Sequence, residues 1–504
     1  MWTGQGEGLP PGPLEPTPPK IPPYPPQLPG ELRAAAARAS RARAVSQLRL
    51  LAAVVALALA VGFAGAGLVT RLRDDALPLL TPSSATPGPA TRTPAVLDRP
   101  AQSQELERRT AFEQVLKARA AAVIAGSRSR WLATIDPGAN AFRAHESALF
   151  DRLRLLPLET WGYTVIDDTQ PLPSARRAAL GTDAYLVQVR LDYRFTSDVI
   201  PLNRTERLTF HKVNGSWLIA GDRDGAGDQD LWDLGAISVV TGKRSLVVGP
   251  VGQRSRLRRY ARDADVAARA VDAVWGTQWP RTVVLVVPSS LSQMATVLGR
   301  TSTAGLDQLA AVTTGEVWSG QEVPSSAPRG TADRVVVNPQ AFAHDFASPT
   351  RRLVLTHEFT HVATRATSRV TPPLWAEEGF ADYVAYLHSG LSKAVIAQSL
   401  LKQVRAGTVP AHLPSASDFD PTKGDIGLAY AGSWMAFMMM QHAGGTAEAV
   451  AFYREASAAD LLGHAGESAD QALQQAFMDT TGLSRSTFEQ HWQDYLVGVA
   501  KNGG

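Results

Sequence analysis

The stretch RRLVLTHEFTHVAT (Arg351–Thr364) decides the fold. Leu355, Phe359 and Val362 recur at helical spacing, so the segment reads as a helix with one face in a core. His357 and His361 are four apart and leave the same side of that helix one turn apart, which lets two imidazoles share one ion. Glu358 follows the first histidine directly. It would hang beside such an ion rather than on it, where a general base for water belongs.

Downstream, PPLWAEEGFADYVAYL (Pro372–Leu387) begins with prolines that stop the preceding chain and suit a helix start. Glu378 and Asp382 are four apart on one face of it, and Ala381 and Ala385 are small enough for close helix packing. Catalytic zinc takes three N/O protein ligands and keeps one position open; His357, His361 and Glu378 supply them. A metal-bound histidine usually donates its other N–H to a carboxylate, and Asp382 sits one turn beyond Glu378 to accept it.

An HExxH helix followed by a helix bearing E-x-x-x-D resembles the gluzincin metallopeptidases. WAEEGFADY is similar to a segment of the M1 aminopeptidases, and the wider pattern over 353–387 resembles the bacterial peptidase MA-like domains. The resemblance implies a thermolysin-like catalytic domain, a small sheet plus a mostly helical lobe, with Zn2+ on His357, His361 and Glu378. Glu377 falls where the M1 enzymes have asparagine. Sixteen residues lie between His361 and Glu378, a shorter spacing than in M1, and the M1 exopeptidase motif GAMEN is absent. RVVVNP (Arg334–Pro339) resembles the edge strand that pairs with substrate backbone in gluzincins, which implies Val335, Val336, Val337 and Asn338 as substrate-binding. LAYAGSWMAFMMMQH (Leu428–His442) resembles the downstream helix of MA-like domains and implies Tyr430 as a hydrogen-bond donor to the tetrahedral oxyanion. Met438, Met439 and Met440 read as core filler, and His344, His388 and His442 as ordinary histidines.

Around this centre the chain of 504 residues divides by texture. Residues 1–48 read as a Pro-rich, disordered tail. Residues 49–71 contain an uncharged apolar run from Leu50 to Thr70, long enough to cross a bilayer. Arg38, Arg41, Arg43 and Arg49 precede it, which puts the N-terminus in the cytoplasm and everything after residue 73 outside. The run is too long, and its leading tail too extended, for a typical cleaved signal peptide. Residues 72–101 read as a Pro/Thr/Ser linker.

Residues 102–245 form an α+β domain. Helical periodicity runs from Leu106 to Ile124. In YLVQVRLDYRF, Val187, Val189, Leu191, Tyr193 and Phe195 alternate with polar residues as in a half-buried strand, and Asn214-Gly215 turns a hairpin. The order resembles NTF2-like domains, whose curved sheet cups a cavity. GDRDGAGDQD lacks EF-hand spacing. Residues 246–504 carry short apolar strands and then helices.

The net charge of +3 is a property of the N-terminus. Residues 1–73 hold eight Lys/Arg against three Asp/Glu, and the rest of the chain is slightly acidic. The run Arg254, Arg256, Arg258, Arg259 and Arg262 lacks interleaved aromatics and reads as a solvated helix face, so no nucleic-acid partner is expected. Absence of cysteine removes disulfides, thiolate metal sites and cysteine nucleophiles. The expected function is a membrane-anchored, extracytoplasmic zinc metallopeptidase acting on a peptide or protein, with Glu358 as general base for a metal-activated water. The alternative is a catalytically inactive binding or scaffold protein on the same fold. An intramembrane protease is excluded, because Arg351, Arg352 and Arg365 flank the HExxH helix.

Overall fold

The structure is a computed structural model that describes residues 99–280, 282–314, 332–342, 347–368, 371–420, 425–458 and 469–502. The expected tail (1–48), the transmembrane segment (49–71), all but the end of the linker (72–101) and His344 lie outside the described residues. Among the described residues, no helix is long and apolar enough to cross a membrane.

Helices α1 (Arg99–Ile124), α2 (Arg128–Ala133) and α3 (Asn140–Leu153) lead into an antiparallel sheet. Its strands run in sequence order, β1 (Leu158–Gln170), β2 (Ala184–Phe195), β3 (Leu202–Val213) and β4 (Ser216–Gly221), with α4 (Ser174–Leu180) between the first two. The alternation in β2 is realised, since Val187, Val189, Leu191, Tyr193 and Phe195 are all buried. Asn214 and Gly215 both take positive φ (51° and 84°), the backbone a two-residue hairpin turn requires, and Val213 pairs with Ser216 across it. The sheet and helices enclose a small polar cup lined by Arg119, Trp131, Trp161, Tyr163, Glu206 and Asp230.

A second sheet has the order β5-β6-β7-β9-β8, built from β5 (Ile237–Thr241), β6 (Ser245–Pro250), β7 (Val283–Val286), β8 (Ala311–Thr313) and β9 (Arg334–Val337). The three middle strands are parallel and the two outer pairs antiparallel. Helix α5 (Arg254–Trp275) makes the crossover from β6 to β7, and α6 (Leu291–Val297) follows β7. Both faces of the middle strands are covered, which is why they read as unbroken apolar runs. Val247, Leu285, Val335 and Val337 face the helical lobe. Leu246, Val248, Val284, Val286 and Val336 share a cluster with Trp131, Tyr193, Phe195 and Trp232 from the first region. The compositional boundary at 245/246 therefore runs through the β5–β6 hairpin, and the two regions meet in a common core.

Beside that core, the guanidinium of Arg334 reaches both carboxylate oxygens of Asp198 at 2.8 and 2.7 Å and lies over the Phe195 ring. Breaking a buried pair of this kind by removing one partner costs about 3–5 kcal/mol.

One expectation is corrected here. The strand Arg334–Val337 is interior, flanked by β7 and β8, so it is not an edge strand. Val335, Val336, Val337 and Asn338 are fully buried. The Asn338 side-chain amide donates to the carbonyls of Leu306 and Leu309 at 2.9 and 2.7 Å. Among the described residues the edge position belongs to β8. Four- and three-residue apolar strands carry no signal that separates the two.

The helical lobe comprises α7 (Ser348–Arg365), α8 (Leu374–Tyr386), α9 (Lys393–Ile396), α10 (Gln398–Arg405), α11 (Ile426–Ala456), α12 (Ala469–Thr481) and α13 (Arg485–Asn502). The long α11 breaks at Gly445, where φ is 76°. On α5, Leu257, Tyr260, Ala264, Ala267 and Val271 face the core, while Arg254, Arg258, Arg259 and Arg262 are exposed as the amphipathic pattern requires. Asp263 on the inner side of α5 collects α7: Arg351 Nη2 reaches it at 2.8 Å, Arg352 Nε at 2.9 Å, and the Ser348 hydroxyl joins them.

Candidate metal centre

Helix α7 begins with Pro349 in its first turn and is locked to α5 through Asp263. Leu355 and Phe359 are buried in the main core, each such burial contributing roughly 1.5–3 kcal/mol. These contacts fix the rotation of α7 about its axis. They turn His357, Glu358 and His361 inward, all three fully buried.

Opposite stands α8, brought close by α11. A Cβ built on Gly379 would lie 2.6 Å from the Ser433 carbonyl oxygen, so glycine is what lets α8 approach α11 here. Phe380 and Trp375 both pack on Phe437 of α11. The Tyr383 hydroxyl donates to Thr446 at 3.0 Å. Glu378 and Asp382, next to and one turn beyond that contact, therefore point at α7.

The three expected ligands converge. His357 Nε2 and His361 Nε2 are 3.2 Å apart, and Glu378 Oε2 lies 3.2 Å from the first and 3.7 Å from the second. The donor atoms of His357, His361 and Glu378 all fall within 4.8 Å of one another. Asp382 Oδ1 is 2.8 Å from His357 Nδ1. That contact places a proton on Nδ1 for the hydrogen bond with Asp382, so a bound cation would be met by Nε2. The adjacent Glu377 goes elsewhere, toward Arg365 Nε at 3.9 Å.

Does a divalent cation fit? Glu378 Oε2 is buried and faces both imidazoles, at 3.2 Å from His357 Nε2 and 3.7 Å from His361 Nε2, with no well-aligned hydrogen bond to either. Two imidazole nitrogens and an orphaned carboxylate oxygen aimed at one point are a nitrogen/oxygen donor set suited to zinc. The electrostatics agree. Burial pushes Glu378 up to about 8, against the opposing hydrogen bond and charge of His357. Burial likewise raises Asp382 and Glu377. Burial disfavours the His357 imidazolium, but hydrogen bonds to Asp382 and Glu378 outweigh it and push the group up to about 10. His361 is held well below the ordinary range by burial, then by the charges of His357 and Arg365. The raised His357 imidazolium is the positive charge that Glu378 and Asp382 face, and a divalent cation on Nε2 would take its place.

Glu358 carries the second half of the site. Burial pushes its carboxyl up to about 7, opposed by His357 and by hydrogen bonding to Thr313. Thr313 Oγ1 donates to Oε2 at 2.5 Å, while Oε1 is buried without a hydrogen-bond partner. Tyr430 on α11 is buried with its ring edge-on to Phe419. Burial, then the charges of Glu378, Asp382 and Glu358, hold its phenol well above the usual range, so it stays protonated.

The expected residues thus assemble in one place, except Val335–Asn338, whose side chains serve the sheet interior. Thr313, whose hydroxyl meets Glu358, carried no signal in the sequence. It lies on a three-residue strand, 45 positions before the glutamate it touches.

Comparison with protein families finds no match for this chain, and none is found among curated proteins. Among solved structures, native yeast LTA4 hydrolase overlaps 51% of this chain and 38% of its own, at 14% identity and a TM-score of 0.30. The bestatin complex of yeast LTA4 hydrolase overlaps 53% of this chain and 37% of its own, at 16% identity and a TM-score of 0.27. The chain thus spans less than two fifths of those proteins, and overlaps of this size leave the functional argument to the site itself.

Proposed function

We propose that this protein is a zinc-dependent metallopeptidase of the gluzincin type, anchored in a membrane by its N-terminal apolar run and acting outside the cytoplasm. The carrying observation is the convergence of His357, His361 and Glu378 with Glu358 alongside, its Oε1 buried and without a hydrogen-bond partner. The anchor rests on the uncharged stretch from Leu50 to Thr70 and the arginines before it.

Zinc bound by His357, His361 and Glu378 supplies Lewis acidity and makes water nucleophilic near neutral pH. Glu358 accepts the proton of the attacking water on Oε1 and returns it to the leaving amine. Asp382 holds His357 in the tautomer that offers Nε2. Tyr430, kept protonated by burial and then by the acids around it, donates a hydrogen bond to the oxyanion that develops on the scissile carbonyl. A substrate strand pairs with the outer side of β8. Thr314 N and Ala310 O bond to β9, so by antiparallel alternation Ala311 and Thr313 turn their backbone groups outward.

The test uses the purified full-length protein. Metal analysis is expected to return one zinc per chain, and a peptide library to be cleaved. Glu358→Gln keeps the zinc and lowers kcat by roughly 10²–10⁴-fold, the contribution of a positioned general base. Cleavage undiminished in Glu358→Gln removes that residue from its role. Zinc bound with no turnover on any peptide favours the catalytically silent binding protein instead.

A further inference from the structure

We infer that Thr313 is the positioning residue that aims the general base, its hydroxyl gripping one oxygen of Glu358 so that the other faces the reacting water. The inference rests on the peptidase reading of this site. Thr313 Oγ1 lies 2.5 Å from Glu358 Oε2, and both side chains are fully buried. Among the described residues no other side chain hydrogen-bonds that carboxylate. Oε1 is left buried and without a hydrogen-bond partner. The two oxygens are therefore inequivalent, one anchored and one available.

The anchor matters because a glutamate has freely rotating bonds. Ordering such a side chain costs roughly 1.5–2 kcal/mol of rotamer entropy, enough to spread it over several conformers when nothing holds it. Thr313 itself has little freedom. It is β-branched and stands opposite Val335 in the sheet. Arg334 N donates to Thr314 Oγ1 at 2.9 Å, and Thr314 N donates back to Arg334 O at 2.9 Å, which pins the next residue of β8 to β9. The hydroxyl is thus presented from a rigid strand. The same residue offers its outward backbone groups to a substrate, so one position sets both the substrate strand and the base that acts on it.

The test compares full-length wild type with Thr313→Val, which keeps the shape and removes the hydroxyl, and Thr313→Ser, which keeps the hydroxyl. The valine variant is expected to bind zinc with unchanged affinity and substrate with unchanged KM, while kcat falls roughly 10- to 100-fold, as for a displaced catalytic group. Serine recovers most of kcat. A crystal structure of zinc-loaded Thr313→Val is expected to show Glu358 moved from its wild-type rotamer with His357, His361 and Glu378 in place. If valine fails to fold, Thr313→Ala serves in its stead. Equal kcat in valine and wild type overturns the inference, as does a serine variant as impaired as valine. A wild type that cleaves no peptide sinks the peptidase reading alone. The rotamer of Glu358 in the variant crystal then still decides the anchor, and an unmoved Glu358 refutes it.

Discussion

Replacing Asp382 by alanine should loosen the metal centre without removing a ligand. In the structure Asp382 Oδ1 lies 2.8 Å from His357 Nδ1, and both groups are shielded from water. A buried hydrogen bond to a charged group is worth about 1.5–3 kcal/mol. If all of it is spent on orienting His357, the zinc dissociation constant rises roughly 10- to 150-fold, since each 1.4 kcal/mol is a factor of ten. Competition titration of the full-length protein against a chromogenic zinc chelator at fixed pH reads this directly. Asp382→Asn should fall between, because its amide oxygen can still accept from Nδ1. Glu377→Gln is the control: that carboxylate faces Arg365 at 3.9 Å, away from the imidazoles, and its zinc affinity should match wild type. An unchanged affinity in Asp382→Ala, or a loss in Glu377→Gln equal to it, refutes the assignment of Asp382 as the group that orients His357.

Gly379→Ala places a methyl 2.6 Å from the Ser433 carbonyl oxygen, so α8 and α11 must separate; an overpacking penalty of about 1–3 kcal/mol is expected in urea unfolding, together with weaker zinc binding. Stability and affinity both equal to wild type would mean the helices have room that the structure denies. Glu206 lines the polar cup, half-buried by surface area but deep in the protein, and that depth pushes its carboxyl up to about 7; Arg119 opposes the shift, and Glu146, Asp222 and Asp230 add to it. The unfolded chain releases this proton near 4.3, so the native state holds it across the interval from about 4.3 to 7, and stability falls as pH rises through that interval and levels off above it. Glu206→Gln should flatten this part of the profile in urea midpoints taken from pH 4 to 8, and an unaltered slope would place the buried proton on another group.

The parts of the site that lie within one helix were legible in the sequence. Period alone put His357 and His361 on one face, and carboxylate spacing alone put Asp382 one turn from Glu378. The choice of Glu378 over Glu377 came from resemblance, and the structure adds its cause, a rotation of α8 set by Gly379 against Ser433 and by Tyr383 against Thr446. Strand order was not legible. RVVV and AVT are both short, apolar and buried, and nothing in them says which has a neighbour on each side. Asn338 was expected at the substrate because RVVVNP resembles the gluzincin edge strand; its amide donates to the carbonyls of Leu306 and Leu309 instead. Thr313 had no local signal, because its meaning depends on a partner supplied by chain reversal. The boundary at 245/246 followed a change in composition, whereas the chain changes sheet earlier, at Ile237.

The shared cluster beneath β6, β7 and β9 makes the first region a floor rather than an appendage. Excising it would bare Leu246, Val248, Val284, Val286 and Val336 on the underside of the sheet and strand the Arg334 guanidinium without Asp198. At roughly 1.5–3 kcal/mol for each apolar side chain, that loss rivals the entire stability of an ordinary domain. The half that carries His357, His361 and Glu378 is therefore no free cassette, and any trimmed version must retain its floor.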